Sequence, residues 1–281
     1  MKLTDFRTAR DLAEARAVLK ELGPVGLPMA GGTSLVFTSE KDERVAVDIN
    51  RAVPAGIARE NGSYRIGPTT RLAALQTFRG DGWVLDRVAV RLATQQIRNM
   101  STIGGNISRV FPWADFPVAL LALNAAMVIA GDAERTLNAD EFFDGQPARL
   151  FQPGELLMAV KVPALTAGQG FGYRKQTQTS AGFSLMTAAA FVEADGNAVK
   201  TARVAIGAGV PFPGRATGVE DLLKGRKASE AAFREAAEKG LAELKFKGGD
   251  GMSEEYIGHL AAVLVGDALN EAWVAAKGGA A

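Results

Sequence analysis

The sequence predicts an α+β protein in which short strands and helices are mixed along the chain. Short apolar runs flanked by glycine or proline, such as residues 25–30 and 126–131, are typical of buried strands. Leu12, Ala15 and Leu19 recur at the spacing of one helix face. The chain has 281 residues, 47% of them hydrophobic and 22% charged, which is enough for a sizeable core.

The first 165 residues or so alternate between the two kinds of element. We expect Thr8 to be the N-cap of a helix over residues 9–22, which Gly23-Pro24 ends. A second short helix over residues 70–78 has Thr69 or Thr70 as its expected cap. Further helices are predicted over residues 83–96 and 115–125, and further strands over residues 25–30, 44–50, 64–70, 126–131 and 153–163.

The remainder reads as a hairpin followed by helices. Small residues over 164–170 form an expected linker. Asp195-Gly196 is a strong hairpin signal between two strands within residues 184–209. Three helices follow over residues 216–225, 229–244 and 253–277, the last with Ser253 as its cap. We therefore predict an N-terminal domain over residues 1–165, with subdomains of about 1–55 and 56–165, and a C-terminal domain over residues 171–281.

Composition excludes several classes of function. The net charge is +1 and the basic residues are dispersed, so no nucleic-acid footprint is present. With no cysteine, the chain has no thiolate nucleophile and no cysteine-ligated cluster, and its single histidine, His259, excludes a multi-histidine metal site. His259 is expected to be structural. The N-terminus has no signal-peptide pattern and no segment reaches the ~20 apolar residues of a spanning helix. We expect a soluble, cytoplasmic protein with no membrane span.

Two glycine pairs carry the first functional signal. Gly31-Gly32 and Gly104-Gly105 each lie beside small hydroxyl residues. Turns of this composition expose successive N–H groups that bind anions. Neither pair completes a Walker A loop or a G-x-G-x-x-G fingerprint, and a single Gly-Gly is most often only a tight turn. Two such turns in one predicted domain raise the hypothesis of a cradle for a diphosphate.

Two charged residues have open roles. Asp115 precedes the helix over residues 115–125, where a carboxylate either accepts hydrogen bonds from a ribose or the second glycine segment, or caps the helix. Composition alone favours the cap. Lys175 either reaches a phosphate or a flavin edge, or is solvated like most lysines.

Six stretches occur in the order typical of one family. They are MAGGTSLV, QIRNMSTIGGNI, PWADFPVALLALNAAMVI, GELLMAVKVP, YRKQ and AIGAGVPFPGRATGVEDLLKG. Over nearly its whole length, the sequence resembles the medium, FAD-binding subunit of molybdenum hydroxylases. That family includes xanthine, carbon monoxide, aldehyde and N-heterocycle dehydrogenases.

The resemblance implies a fold and a set of cofactor contacts. The fold is the two-subdomain FAD-binding fold of the vanillyl-alcohol-oxidase type, followed by a C-terminal domain of a small antiparallel sheet with helices. Backbone amides and hydroxyls of the glycine segments hold the FAD diphosphate, and an acid, an apolar residue and a lysine add contacts. The implied FAD-contacting residues are Met29, Ala30, Gly31, Gly32, Thr33, Ser34, Leu35, Val36, Thr102, Ile103, Gly104, Gly105, Asn106, Asp115, Leu157 and Lys175. No catalytic or metal-ligating residue is implied in this chain.

The resemblance also implies partners. Substrate is oxidised at a molybdenum cofactor in a large subunit, and electrons cross two [2Fe–2S] clusters in a small subunit to reach FAD in this chain. The assembly is a dimer of heterotrimers. The chain departs from the family after YRK, where residues 176–184 lack the usual arginine-rich run near the approach of an external electron acceptor.

Two further readings stay open. One is a self-contained flavin-dependent oxidoreductase of the same fold, for which His259 is poor acid–base material. The other is a non-enzymatic phosphate- or nucleotide-binding module, for which the glycine pairs alone suffice.

Overall fold

The computed structural model describes residues 2–35, 43–249 and 251–279. The strands are β1 (Lys2–Thr8), β2 (Gly26–Met29), β3 (Glu43–Asp48), β4 (Ile57–Glu60), β5 (Ser63–Ile66), β6 (Ala126–Ala130), β7 (Glu134–Asn138), β8 (Leu156–Pro163), β9 (Gln169–Thr177), β10 (Ser184–Asp195), β11 (Ala198–Gly207) and β12 (Gly214–Arg215). The helices are α1 (Leu12–Leu22), α2 (Leu72–Thr77), α3 (Asp86–Ala89), α4 (Gln95–Met100), α5 (Ile103–Ser108), α6 (Phe116–Ala122), α7 (Ala139–Phe142), α8 (Thr217–Leu223), α9 (Glu230–Gly240) and α10 (Glu254–Ala276).

These elements form two compact units that take alternating segments of the chain. Unit 1 consists of Met1–Phe78, Thr94–Val110 and Ala126–Val162. Unit 2 consists of Arg79–Ala93, Phe111–Ala125 and Pro163–Ala281. The domains expected from the sequence, at residues 1–165 and 171–281, stay a prediction.

Unit 1 contains two sheets, one of three parallel strands and one of five strands. The first sheet has the strand order β1-β3-β2, with both outer strands parallel to β3. The second has the order β4-β5-β8-β6-β7, and its β4–β5, β6–β7 and β6–β8 pairs are antiparallel. Helix α1 buries Ala15 and Leu19 in a cluster that also contains Val47 and Leu156. Strands β2 and β3 confirm the two strands predicted on either side of the first glycine pair. Strand β1 was not predicted.

The caps predicted for the first two helices are wrong. Thr8 ends β1, which pairs with β3, and Asp11 caps α1 by accepting the Glu14 N–H at 2.9 Å. The Thr69 hydroxyl donates to the carbonyls of Val53 and Pro54 instead of capping α2. Thr70 likewise bonds the backbone of Gly56. Both threonines thus join an upstream loop to the sheet.

The single helix predicted over residues 83–96 is also wrong. Helix α3 covers only Asp86–Ala89, and Ala93 adopts a left-handed φ of 47° that no regular helix contains. A new helix, α4, then begins after Thr94, whose side chain accepts the Ile97 N–H. The break places the two helices in different units.

Unit 2 is an antiparallel sheet covered by helices. The strand order is β12-β11-β10-β9, and the β10–β11 hairpin turns at Gly196, where φ is 55°. The predicted Asp195-Gly196 hairpin is therefore confirmed, as are the three helices after it. Helix α6 buries all seven of its residues, and Arg203 of β11 donates to its Leu121 carbonyl.

The longest helix, α10, packs directly on β9 through glycines. A Cβ at Gly172 would lie 2.0 Å from the Ala268 carbonyl oxygen, and one at Gly170 would lie 1.9 Å from that of Ala272. These distances are too short for any side chain, so the backbones of strand and helix touch. In the part of the chain that the structure describes, no helix has the length and apolar composition of a membrane span.

Ser253 caps α10 as predicted, by accepting the Tyr256 N–H at 3.1 Å. We expect Ser253→Ala to lower the free energy of unfolding by about 1 kcal/mol, because one N–H of the first turn loses its acceptor. Urea denaturation followed by circular dichroism measures the change. Exposed Ser180 serves as the control, and Ser180→Ala should change stability by less than about 0.5 kcal/mol. Equal stability of the two variants would contradict the capping role.

Candidate cofactor site

The structure brings the two glycine segments together in unit 1. The first segment follows β2, and its Thr33 Oγ1 lies 2.8 Å from the Ser101 Oγ just before the second segment. Gly31 packs on the carbonyl of Met100, where a Cβ would lie 2.2 Å from the oxygen. Only glycine permits this approach, so Gly31 is what allows the two segments to touch.

The first segment is a turn with open amides. Gly32 has a left-handed φ of 68°, and the atom nearest to the place a Cβ would take is Met29 Sδ, at 3.6 Å. Leu35 N–H donates to the Gly32 carbonyl at 3.2 Å. Within the described residues, the amides of Gly31, Gly32, Thr33 and Ser34 have no hydrogen-bond acceptor. Such a run of partly exposed N–H groups is an anion-binding concavity. Val36, the last residue predicted here, lies outside the described residues.

Two side chains that the sequence did not single out brace this turn. Arg71 donates to the Met100 carbonyl and, at 3.5 Å, to Asn50 Oδ1. Asn50 in turn donates to the carbonyl of Ala30 at 3.1 Å. The chain Arg71–Asn50–Ala30 thus ties both segments to β3. It brings together residues from three separate stretches of sequence, which local spacing does not reveal.

The second glycine pair is helical, so the turn predicted for it is wrong. Thr102 caps α5 by accepting the Gly105 N–H at 3.1 Å. The Gly104 N–H donates to the Pro68 carbonyl at 2.8 Å, and a Cβ there would lie 2.7 Å from Pro68 Cβ. Gly104 is therefore required for packing. Gly105 is exposed, and among the described residues the only atom within 4 Å of its Cβ position is Thr102 Oγ1 at 3.1 Å.

Asn106 completes the site with an open acceptor. Within the described residues, its Oδ1 is buried and accepts no hydrogen bond. Leaving such an atom unpaired costs on the order of 1–3 kcal/mol, so a ligand donor is its natural partner. The open amides, the hydroxyls of Thr33 and Ser34 and the Asn106 Oδ1 together fit a ligand that carries both phosphate oxygens and hydroxyl groups. The diphosphate and polyol of FAD have this chemistry.

Asp115 lies in unit 2 and does not use its side chain as a cap. It occupies the N-cap position of α6, but its carboxylate makes no hydrogen bond to the helix amides. Instead Oδ1 accepts from Tyr173 Oη at 2.7 Å and Ser184 Oγ at 3.0 Å, and Oδ2 accepts from Lys175 Nζ at 2.9 Å. The cap favoured by composition is therefore wrong. We call these four side chains the Asp115 cluster.

The Asp115 cluster is buried. The side chains of Lys175 and Asp115 are 6% and 4% exposed, so of the two alternatives for Lys175 the solvated one is wrong. Tyr173 and Lys175 project from the same face of β9 because they are two residues apart on a strand. Burial raises the pKa of Tyr173 well above its ordinary value, and the Asp115 carboxylate raises it further. The phenol therefore stays protonated and donates to Asp115 at neutral pH.

Two other candidates of the sequence lie apart from these clusters. Leu157 is buried on β8 in unit 1, opposite Ile129 of β6. His259 is exposed on α10, and the structural role expected of it stays a prediction. Across residues 2–35, 43–249 and 251–279, no group of histidine and acidic side chains is arranged to hold a metal ion.

The α+β fold and the open amides of unit 1 fit a protein that binds a phosphate-bearing cofactor. Residues 3–165 match the family described as FAD binding domain in molybdopterin dehydrogenase, and residues 172–272 match the CO dehydrogenase flavoprotein C-terminal domain. The chain therefore belongs to the family of FAD-binding proteins of the molybdopterin dehydrogenases, and the family and fold class expected from the sequence are confirmed.

Individual relatives extend this likeness over nearly the whole chain. The carbon monoxide dehydrogenase medium chain of Hydrogenophaga pseudoflava is 29% identical over 279 residues, covering 96% of each chain. The alpha subunit of the 6-hydroxypseudooxynicotine dehydrogenase complex of Paenarthrobacter nicotinovorans is 32% identical over 201 residues, covering 68% of this chain and 67% of its own. A solved carbon monoxide dehydrogenase of H. pseudoflava, lacking the Mo-pyranopterin moiety, has a TM-score of 0.90 at 29% identity and covers 98% of each chain.

Proposed function

We propose that this chain is the FAD-binding electron-transfer subunit of a molybdenum hydroxylase complex. It takes electrons from [2Fe–2S] clusters of a small partner subunit onto FAD and passes them to an external acceptor. The observation that carries the proposal is the pair of glycine segments in contact through Gly31 and Met100, with open amides beside them. Membership of a family of FAD-binding proteins supports the same cofactor.

In this proposal the glycine segments hold the diphosphate part of FAD. The amides over residues 31–34 donate to phosphate oxygens, and the hydroxyls of Thr33 and Ser34 add donors. Asn106 accepts from a cofactor hydroxyl. Bound flavin supplies the two-electron chemistry, while this chain binds and orients it. Contacts to FAD from Val36, Asp115, Leu157 and Lys175 stay predictions.

The iron–sulfur clusters belong to a partner in this proposal. The chain has no cysteine, and protein [2Fe–2S] clusters need thiolate ligands. The similar proteins are named as a medium chain and as a complex subunit, which supports a subunit role for this chain. A large subunit holds the molybdenum cofactor and a small one the clusters, and the dimer of heterotrimers and the cytoplasmic location stay predictions.

The test is to purify the chain alone and together with co-expressed small and large subunits of a molybdenum hydroxylase. We expect the isolated chain to be yellow, to release FAD on denaturation, and to oxidise neither carbon monoxide nor an N-heterocycle, because the substrate site lies in another subunit. Flavin reduction by a dithionite-reduced small subunit measures electron entry. A colourless chain that FAD cannot reconstitute refutes the proposal. Substrate turnover by the isolated chain would instead identify a self-contained flavin oxidoreductase.

A further inference from the structure

Arg71 lies where the two glycine segments of unit 1 meet. Its backbone forms an antiparallel β-bridge with Thr102, the residue that caps α5 in the second segment. Its side chain extends to the first segment, because a Cβ placed on Gly31 would lie 3.2 Å from Arg71 Nη1. The backbone and the side chain of one residue therefore contact different segments, and all three residues belong to unit 1.

The Arg71 guanidinium group has unused donors. Nη1 donates to the Met100 carbonyl, and Nη2 lies 3.5 Å from Asn50 Oδ1, at the outer limit of a hydrogen bond. Within the described residues, no carboxylate and no other acceptor contacts the group, so N–H groups on all three of its nitrogens stay open. Arg71 is partly exposed, and its bond to Met100 lies at the surface. A ligand can therefore reach these donors.

The glycine segments contain no cation of their own. Residues 30–35 and 101–106 include neither a basic nor an acidic side chain. Arg98 of α4 is close in sequence, but it is buried and donates to Gln76 and Gln95. The open amides carry only partial charges, whereas the diphosphate of FAD is a dianion. A guanidinium group is the side chain that matches phosphate oxygens best, because its planar N–H donors bind them in pairs.

We propose that Arg71 binds the diphosphate of FAD, its open N–H groups donating to phosphate oxygens beside the amides of residues 31–34. The proposal rests on the proposed function, because it takes FAD held by the glycine segments as the ligand. It adds a binding residue that neither glycine nor hydroxyl composition indicates. The contacts with Met100 and Asn50 then have a second purpose. They hold the guanidinium group in one place before the cofactor binds, so that less side-chain entropy is lost on binding.

The test titrates the full chain, freed of flavin, with FAD at low and at high salt, and flavin fluorescence gives the Kd. We expect Arg71→Met to raise the Kd at least about tenfold at low salt, the effect of losing a hydrogen bond between charged groups. The parent Kd should rise with salt, because salt screens opposite charges that water reaches. The Kd of Arg71→Met should rise much less. Arg71→Lys keeps the charge and should retain the salt dependence of the parent.

Two further variants separate the charge of Arg71 from its bracing contacts. Asn50→Ala removes the acceptor near Arg71 Nη2 and the bond to the Ala30 carbonyl, but it leaves the charge in place. It should raise the Kd and keep the salt dependence of the parent. Arg59→Met is the matched control, since it removes one positive charge from exposed β4 of unit 1, where the guanidinium carbon lies 5.9 Å from the centre of the Tyr64 ring. Its Kd and salt dependence should equal those of the parent.

A parent-like Kd in Arg71→Met would overturn the role of Arg71 while leaving the proposed function intact. A raised Kd with the salt dependence of the parent would overturn it too, since Arg71 would then act only by bracing the Met100 carbonyl. Should Arg71→Met fail to fold, Arg71→Gln, which keeps an N–H donor and loses the charge, is judged by the same two results. A parent chain that binds no FAD refutes the proposed function itself.

Discussion

Gly105→Ala should weaken FAD binding at least about tenfold while leaving the stability of the apo chain nearly unchanged. Among the described residues, the one atom within 4 Å of the Cβ position of Gly105 is Thr102 Oγ1, at 3.1 Å, so this side chain must shift by a few tenths of an ångström to admit a methyl group. In helix α5, alanine is more favourable than glycine by roughly 0.5–1 kcal/mol. The same methyl group occupies space that the proposed cofactor needs. The gain in helix propensity and the cost of shifting Thr102 offset each other, so affinity is expected to fall while stability stays nearly unchanged.

Two titrations measure this result: flavin fluorescence for the Kd and urea denaturation of the apo chain for stability. Gly249→Ala is the control, because Gly249 lies in unit 2, has no left-handed φ, and has no atom of the described residues within 4 Å of its Cβ position. It should leave the Kd unchanged. An unaltered Kd in Gly105→Ala would show that the glycine segments do not hold the cofactor. A loss of affinity accompanied by an equal loss of stability would point to misfolding instead.

Gly172→Ala should lower the free energy of unfolding by about 3 kcal/mol. Its Cβ would lie 2.0 Å from the Ala268 carbonyl oxygen, and the obstructing atom is helix backbone, which has no alternative rotamer. Helix α10 must then move off β9, and the buried side chains between them lose contacts. Urea denaturation monitored by circular dichroism tests the result.

Gly170→Ala provides a second measurement at the same interface, since its Cβ would lie 1.9 Å from the Ala272 carbonyl oxygen. The two variants should be similarly destabilised, whereas Gly249→Ala should remain near the parent chain. A change below about 1 kcal/mol in Gly172→Ala would mean that α10 adjusts freely on the sheet, contrary to the close backbone contact described above.

The elements that sequence predicted well have local causes. Asp195-Gly196 specifies a hairpin through its own backbone preferences, and Ser253 specifies a helix start through one side-chain bond. The errors have tertiary causes. Asp11, not Thr8, caps α1 because β1 pairs with β3 and extends through Thr8. Residues 83–96 have a helical pattern, but Ala93 turns the chain from one unit to the other.

The candidate site likewise has features that local sequence predicts and contacts that only the tertiary structure shows. Glycine and hydroxyl composition identified both segments, but contact between them depends on Gly31 meeting Met100, which no spacing predicts. The sequence also singled out Asp115 and Lys175 separately. Their pairing joins the start of α6 to β9, 60 residues later, and the register of β9 on β10 brings Ser184 to the same cluster. Register is set by long-range strand pairing and therefore escapes a reading of local pattern.

The alternation of segments between the two units has a consequence for synthesis on the ribosome. Helix α6 is buried on every residue, yet its Leu121 carbonyl is bonded by Arg203, 82 residues later in the chain. A nascent chain therefore displays this apolar helix for several seconds before β11 emerges to cover it. For the same reason, a fragment that begins at the linker would leave the surface of β11 under α6 bare. Unit 2 can therefore fold only after residues 163–281 are synthesised, and its earlier segments stay unpacked until then.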